Sequence, residues 1–248
     1  MAGADPEEHV HVPVLRQRWE AASFLHWRYP AAVVRALLPD GLVAEELDGS
    51  AWIGMVCFLA NGSAILGRLG FPGGRDFPET NVRTYVRTPN GDDAVWFLTL
   101  EVGNPMMARA GRALRLPYRS ASMSVVHDGD EWVYESRRGD LGHRVVVRPT
   151  ATLDASARPS RDRSLTGRWR AAIPLAPRRL VVPVEHEPWP LREATLVELD
   201  ERLLESLGLP APSAPPEVRF SDGVRAVIGL PRPRWRPRAR PSADEPAR

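Results

Sequence analysis

Glu79, Asn81, Arg83, Tyr85 and Arg87 occupy every second position of the segment FPETNVRTYVR, residues 77–87. With the two-residue period of a strand they share one face, while Thr80, Val82, Thr84 and Val86 share the other. Such a polar row either faces open water or lines a polar cavity. In a cavity, Glu79 is a candidate general acid or base, and the planar fork of Arg83 suits a carboxylate or phosphate. Asn81 and Tyr85 would add hydrogen-bonding groups beside them. The competing reading is that Glu79 and Arg83 pair with each other, or across strands, to satisfy a buried polar layer. Burial raises the pKa of Glu79 and a nearby Arg83 lowers it, so the sign depends on how the two are placed. Arg87, next to a turn, is read as solvated.

Other residues could join this row. Tyr118, in LPY after a helical segment, could turn its hydroxyl to the cavity or serve as an amphipathic core residue. Tyr134 and Arg137 lie at opposite parity in EWVYESRR, and Tyr134, sharing a face with Trp132, is the one expected inside. His26 beside Trp27, and His186 in EHEPWPL, are candidates for substrate contact, with a satisfied structural imidazole as the alternative. Neither belongs to a metal-binding pattern, and His9 and His11 sit in a polar terminus, so no metal is expected. Ser63 has no evident partners and no GxSxG elbow occurs, which removes the serine-hydrolase class. The glycine-rich stretch 67–75 matches no phosphate-binding pattern.

The elements around these residues read as short strands. Residues 15–22 are read as strand, and a short helix covers 31–38 with Pro30 as its first residue, stopped by Pro39, Asp40 and Gly41. Asp48-Gly49 between two apolar runs predicts a hairpin of 42–47 with 50–60. A loop over 61–76 leads to the polar-faced strand, and 94–102, apolar on both faces, is expected at the centre of a sheet. Asn104 and Pro105 start a helix of about three turns. Further strands are expected over 120–127, 131–138, 143–148, 180–187, 194–199, 218–220 and 224–230, with turns at 128–130 and 221–223. Residues 149–163 read as a mobile loop and 200–207 as a helix ended by Gly208. About ten strands, two or three short helices and no βαβ alternation predict a mainly β (α+β) protein whose antiparallel sheet curls or closes. The expected organisation is a flexible N-terminus over 1–13, one domain over 14–230, and a disordered Pro/Arg-rich tail over 231–248.

Composition narrows the chemistry further. The 248 residues carry a formal net charge of +2, and all 33 basic residues are arginine. With no lysine there is no side-chain amine for a Schiff base. The single cysteine, Cys57, lies in an apolar run and is read as a small buried hydrophobe. The chain shows no signal peptide and no apolar run near 18 residues, so a soluble cytoplasmic protein is expected. The arginine-rich tail also carries Asp244 and Glu245 and reads as solvated, not as a nucleic-acid arm.

Seven segments in order, FLHW (24–27), LLPDGL (37–42), DGSAWIGMVCF (48–58), FPETNVRTYV (77–86), WFLTLE (96–101), LPYRSASM (116–123) and EHEPWPL (185–191), resemble the YqjF-like family, domain of unknown function 2071. The likeness covers about residues 14–230. It places the chain in the acetoacetate decarboxylase-like superfamily and so implies a cone-like, strongly curved antiparallel β structure around a cavity. The family itself is uncharacterised and implies no reaction. In acetoacetate decarboxylase a lysine that follows a proline forms the Schiff base, and the comparable place here is Pro117-Tyr118, where a phenol cannot form an imine. The resemblance implies Glu79 as the counterpart of the superfamily's acidic pocket residue on a preceding strand.

The reading that follows is a protein binding a small anionic or carboxylate-bearing molecule in the cone, with Arg83 as anchor and Asn81, Tyr85, Tyr134, His26 and His186 around it. One alternative is a lysine-free lyase or isomerase using Glu79 as base and Tyr118 as acid; another is a non-catalytic interaction scaffold with a filled core. No cofactor, nucleic acid or membrane partner is expected, and self-association into a homo-oligomer is left open.

Overall fold

Alternating and β-branched runs dominate the chain, and in the computed structural model, which describes residues 9–66, 68–69, 76–154, 159–173 and 179–235, they form sixteen strands and four short helices. The first half contains β1 (Pro13–Tyr29), α1 (Ala31–Arg35), β2 (Val43–Ala44), β3 (Glu46–Leu47), β4 (Ser50–Ile65), β5 (Arg68–Leu69), β6 (Phe77–Arg87), β7 (Asp93–Val102) and α2 (Pro105–Ala113). After it come β8 (Tyr118–Ser120), β9 (Ser122–Asp128), β10 (Glu131–Arg138), β11 (Leu141–Thr152), α3 (Ser160–Thr166) and β12 (Arg170–Ile173). The chain continues through β13 (Arg179–His186), β14 (Leu191–Glu201), α4 (Leu203–Ser206), β15 (Glu217–Gly229) and β16 (Arg232–Trp235).

Seven strands close on themselves. The order β13-β12-β7-β6-β4-β1-β15 returns to its start because β15 also pairs with β13, Val184 opposite Ile228 and His186 opposite Ala226. All of these pairings are antiparallel except β12 with β7. Closure removes the open edges that would otherwise invite association. From β15 the sheet runs on through β14, β11, β10 and β9, and this extension folds over the outside of the barrel. Leu25, Trp27, Met55 and Val82 point out of the barrel and meet Tyr134, Val145 and Val147 of the extension. Phe24, Val56, Phe77, Val102 and Met107 form one interior core, and Trp52, Tyr85, Val95 and Ile173 another.

Local signals explain many element ends. Asp48 and Gly49 have φ of 53° and 73°, the positive values a two-residue hairpin needs, and Leu47 pairs with Ser50. Asn104 caps α2 by accepting from the backbone N–H groups of Met106 and Met107, with Pro105 in the first turn.

Other expectations fail where sheet pairing overrules local sequence. The turn expected at 221–223 is absent: β15 is continuous there, and Gly223, at φ 141°, crosses so close to β1 that a Cβ would sit 2.4 Å from the carbonyl oxygen of Trp19. The neighbouring Ala21, at φ 47°, marks the bulge where β1 shifts register against β4. Residues 61–65, expected in a loop, extend β4. Within 149–163, β11 runs on to Thr152 and α3 begins at Ser160, burying Asp162, Ser164, Leu165 and Thr166; residues 155–158 lie outside the described residues. Strand β12 is short enough to have escaped any periodicity. The helix expected over 200–207 is only α4, because β14 extends to Glu201.

At the termini, Glu185 accepts from the Val10 backbone N–H and contacts His9, while residues 1–8 lie outside the described residues. Of the Pro/Arg-rich segment, 232–235 form β16 against β13, and 236–248 lie outside the described residues.

Candidate functional site

The barrel is not filled. A cavity of about 320 Å³ lies inside it, lined by apolar side chains from β1, β7, α2, β12, β13 and β15 and by a few polar groups, among them Gln17, Glu79, Arg83, Tyr118, Arg168 and His186. The odd-numbered residues of β6 supply Glu79 and Arg83 because β6 sits between β4 and β7 with that face inward. The filled-core scaffold loses its premise.

Glu79 is 8% exposed, and the hydroxyl of Tyr118 donates to its Oε2 over 3.5 Å. Loss of water dominates over that weak bond, so burial pushes the carboxyl up to about 8. Glu79 is therefore mostly a neutral acid at pH 7. Burial, the charge of Glu79 and the hydrogen bond to it together push the Tyr118 phenol well above its ordinary range. Tyr118 stands where it does because of Gly111: a Cβ there would lie 2.0 Å from Cδ2 of the ring, so α2 can approach only at a residue without a side chain.

Arg83 is arranged differently. Its Nη2 donates to the Leu165 carbonyl at 3.1 Å and its Nε to the Tyr85 hydroxyl at 3.4 Å. Among the described residues no carboxylate lies within ion-pair distance of it. Tyr85 is fully buried, and its hydroxyl lies 2.6 Å from Nε2 of His26. Burial, then Arg83, Arg219, Arg168 and Arg161, hold His26 well below its ordinary pKa. With the imidazole neutral and Arg83 Nε donating to the phenol oxygen, the Tyr85 hydroxyl donates to Nε2 of His26. Gly54 lies beneath this bond: a Cβ there would come 2.9 Å from His26 Cδ2 and 3.0 Å from the Tyr85 hydroxyl.

Arg168 is 4% exposed and lies with its guanidinium carbon 4.8 Å from the centre of the Tyr85 ring. Its Nε donates to the Ser164 carbonyl, and its Nη1 to Asp93 at 3.3 Å. Nη1 also stands 2.6 Å from Glu45 Oε2, an ionic contact not aligned as a hydrogen bond. Glu45 further pairs with Arg87, and Asp93 with Arg170.

His186 donates from Nδ1 to the Glu187 carbonyl at 2.6 Å and is packed among Trp19, Trp169 and Trp189. Burial brings it down to about 4, so it meets the cavity as a neutral ring.

The expected residues thus separate. Glu79, Arg83, Tyr118 and His186 line the cavity; Asn81 shares the inward face of β6 and is buried with an unpaired Oδ1; Tyr85 and His26 stand one layer behind Arg83. Tyr134 is a correction. It lies on β10 of the extension, outside the barrel, where it donates to the Ala21 carbonyl and accepts from Ser23. Its parity does turn it inward, but the inside it faces is the layer between barrel and extension. Glu79 and Arg83 do not pair. Arg87 is exposed and reaches Glu45. Cys57 is buried, its thiol pushed up to about 12 by burial, an inert core residue. Arg168 and Gln17 have no sequence signal beyond the alternation of Arg168 with Arg170, which follows a stretch without periodicity.

The family model for DUF2071, an uncharacterized conserved protein, matches residues 16–225. The chain belongs to the DUF2071 family. This DUF2071 chain is 27% identical over 237 residues to the uncharacterized protein YqjF of Bacillus subtilis (strain 168), covering 92% of this chain and 97% of YqjF. Its fold is similar to that of the enduracididine biosynthesis enzyme MppR, solved with pyruvate, at TM-score 0.64 and 15% identity over 91% of this chain and 92% of MppR. Acetoacetate decarboxylase from Legionella pneumophila superposes at TM-score 0.61 with 12% identity, over 89% and 86% of the two chains. These likenesses establish an acetoacetate decarboxylase-like fold for the DUF2071 chain. A Schiff base is closed to it, since the chain has no lysine. Among its described residues no helix is long and apolar enough to cross a membrane, and no group of His, Cys, Asp and Glu is placed to hold a metal ion.

Proposed function

We propose that the barrel cavity binds a small carboxylate-bearing molecule, with the carboxylate on Arg83 and the rest of the ligand against the apolar wall that leads to Glu79 and Tyr118. The observation that carries this reading is Arg83 itself, a cation lining an apolar cavity with no carboxylate partner among the described residues. A guanidinium so placed retains donors for a planar anion. The cavity, about 320 Å³, is at the lower end of ligand-sized pockets. The pyruvate in the MppR structure is a molecule of this class.

A second reading adds turnover. Glu79, mostly protonated at neutral pH and hydrogen-bonded only weakly by Tyr118, is suited to hand a proton to a bound carbonyl or enolate and take it back. Both readings are tested by thermal shift against pyruvate, other 2-oxo acids, β-keto acids and simple carboxylates. A ligand at 100 times its dissociation constant adds about 2.7 kcal/mol of apparent stability. The shift is expected to vanish in Arg83→Ala; one that persists there refutes Arg83 as anchor. If a bound compound is also converted, Glu79→Gln should retain binding and lose about two orders of rate.

A further inference from the structure

The barrel cavity exceeds what a pyruvate-sized acid fills, and its remaining wall is hydrocarbon. At about 30 Å³ of liquid per water, a volume of about 320 Å³ corresponds to roughly ten non-hydrogen atoms. Pyruvate supplies about half of them. The rest would be water held against Leu15, Val95, Leu100, Ile173, Val184 and Ile228, an unfavourable arrangement.

Polar groups on that wall do not soften it, because protein partners engage them. Gln17 Nε2 donates to the Ser63 hydroxyl at 3.0 Å, and Gln17 Oε1 accepts from Trp19 Nε1 at 2.9 Å. The Thr166 hydroxyl donates to the Asp162 carbonyl at 2.8 Å, and His186 Nδ1 to the Glu187 carbonyl. Arg168 and Arg170 are turned to Asp93. Arg83, Glu79 and Tyr118 are the groups offered to a ligand's polar atoms, and the body of that ligand meets hydrocarbon.

Helix α2 carries the apolar wall outward. Met107, Ala110, Gly111 and Leu114 recur at helical spacing, and all four line the cavity. Met107 is buried, whereas Ala110 is exposed and Leu114 is 43% exposed. One apolar face of the helix thus starts inside the barrel and ends at its surface, leaving hydrocarbon uncovered at the mouth. A ligand with a hydrocarbon chain would cover it, and a wholly polar one would not.

Resting on the Arg83 reading above, we infer that the ligand is an amphipathic acid, a carboxylate with a hydrocarbon chain, its head on Arg83 and its chain along the α2 face towards Leu114. An acid of about eight carbons has the roughly ten non-hydrogen atoms that the cavity takes.

Calorimetric titration with acetate, butanoate, hexanoate, octanoate and dodecanoate, and with 1-octanol as the uncharged control, tests this directly. Affinity is expected to rise about 3- to 4-fold per added methylene as far as octanoate and to gain little beyond it. In Leu114→Asn, which keeps the size of the side chain but sets an amide at the mouth, the ratio of octanoate to butanoate affinity should fall about 3- to 10-fold. Affinity that does not rise with chain length, yet is lost in Arg83→Ala, would overturn the amphipathic ligand and leave the Arg83 anchor standing. A rise that continues to dodecanoate and ignores Leu114→Asn would be adsorption to the surface and would overturn it too. If 1-octanol binds as tightly as octanoate, in the wild type and in Arg83→Ala alike, the anchor fails and the carboxylate with it. Absence of binding by every acid would overturn both readings. Should Leu114→Asn fail to fold, the wild-type series and Arg83→Ala decide.

Discussion

Glu79 and Arg83 stand on one face of one strand, and the barrel treats them in opposite ways. About 13 Å of strand separates their Cα atoms, too far for them to pair. At the Glu79 end the surroundings are apolar and the carboxyl has one long hydrogen bond, so it is kept mostly neutral at pH 7. At the Arg83 end, two helix carbonyls, a phenol, a ring face and the carboxylates behind Arg168 surround the two guanidiniums. Burial with few partners discharges a group, whereas burial with many partners stabilises its charge. A single cavity thereby has a carboxyl kept mostly neutral at one pole and guanidiniums at the other.

The contrast breaks most severely at the cationic pole. Arg168→Ala should cost roughly 3–5 kcal/mol in urea unfolding, because it strands Asp93 and Glu45 beneath the surface. A loss below about 1 kcal/mol would mean that those carboxylates are served by Arg170 and Arg87 alone. At the acid pole the effect depends on pH. Folded Glu79 keeps its proton up to about 8 but releases it near 4.5 when unfolded, so the folded state holds more protons and stability falls as pH rises through that range. His143 and His186, brought down from 6.5 to about 4, and His26 act in the opposite sense, their contribution being lost as pH falls. Between pH 6.5 and 8 the two effects overlap, so the contribution of Glu79 is read from the difference between the wild type and Glu79→Gln. The gap in stability between the wild type and Glu79→Gln should therefore change by about 2 kcal/mol across that range, with the variant's stability rising with pH where the wild type's does not. An unchanged slope in that variant would place the titration elsewhere.

The smallest expected effect sharpens the acid pole. Gly111→Ala adds a methyl group where the Tyr118 ring stands, at a cost of about 1–3 kcal/mol, less about 1 kcal/mol gained in helix propensity. A net loss near 1 kcal/mol in thermal unfolding, with a changed Tyr118 environment by fluorescence or NMR, fits a ring held by packing. A net gain would show that the ring moves aside freely.

Much of this protein is legible in its sequence. The inward row of β6 follows from alternation, the hairpin at Asp48 and Gly49 from turn chemistry, and the start of α2 from Asn104 and Pro105. The family follows from seven ordered segments. These features rest on local interactions, whose signals lie within a few residues of one another. Absence of lysine closes the Schiff-base route by chemistry alone.

What the chain could not announce are the features made by distant partners. The Ser221-Asp222-Gly223 turn signal yields to pairing with β1, and Tyr134 has the parity of an interior residue although its interior lies between barrel and extension. α3 lacks a sequence pattern because its buried residues answer to Arg83 and Arg219, far away in the chain, rather than to a periodic apolar face. Arg168 gains its place only when α3 and Tyr85 meet. Local sequence thus determined the strands, the turns and which side chains face together. Tertiary structure alone decided which enclosed space each face sees, and with it which buried group is neutral and which stays charged, because desolvation and partner number depend on all the chain that closes around a site.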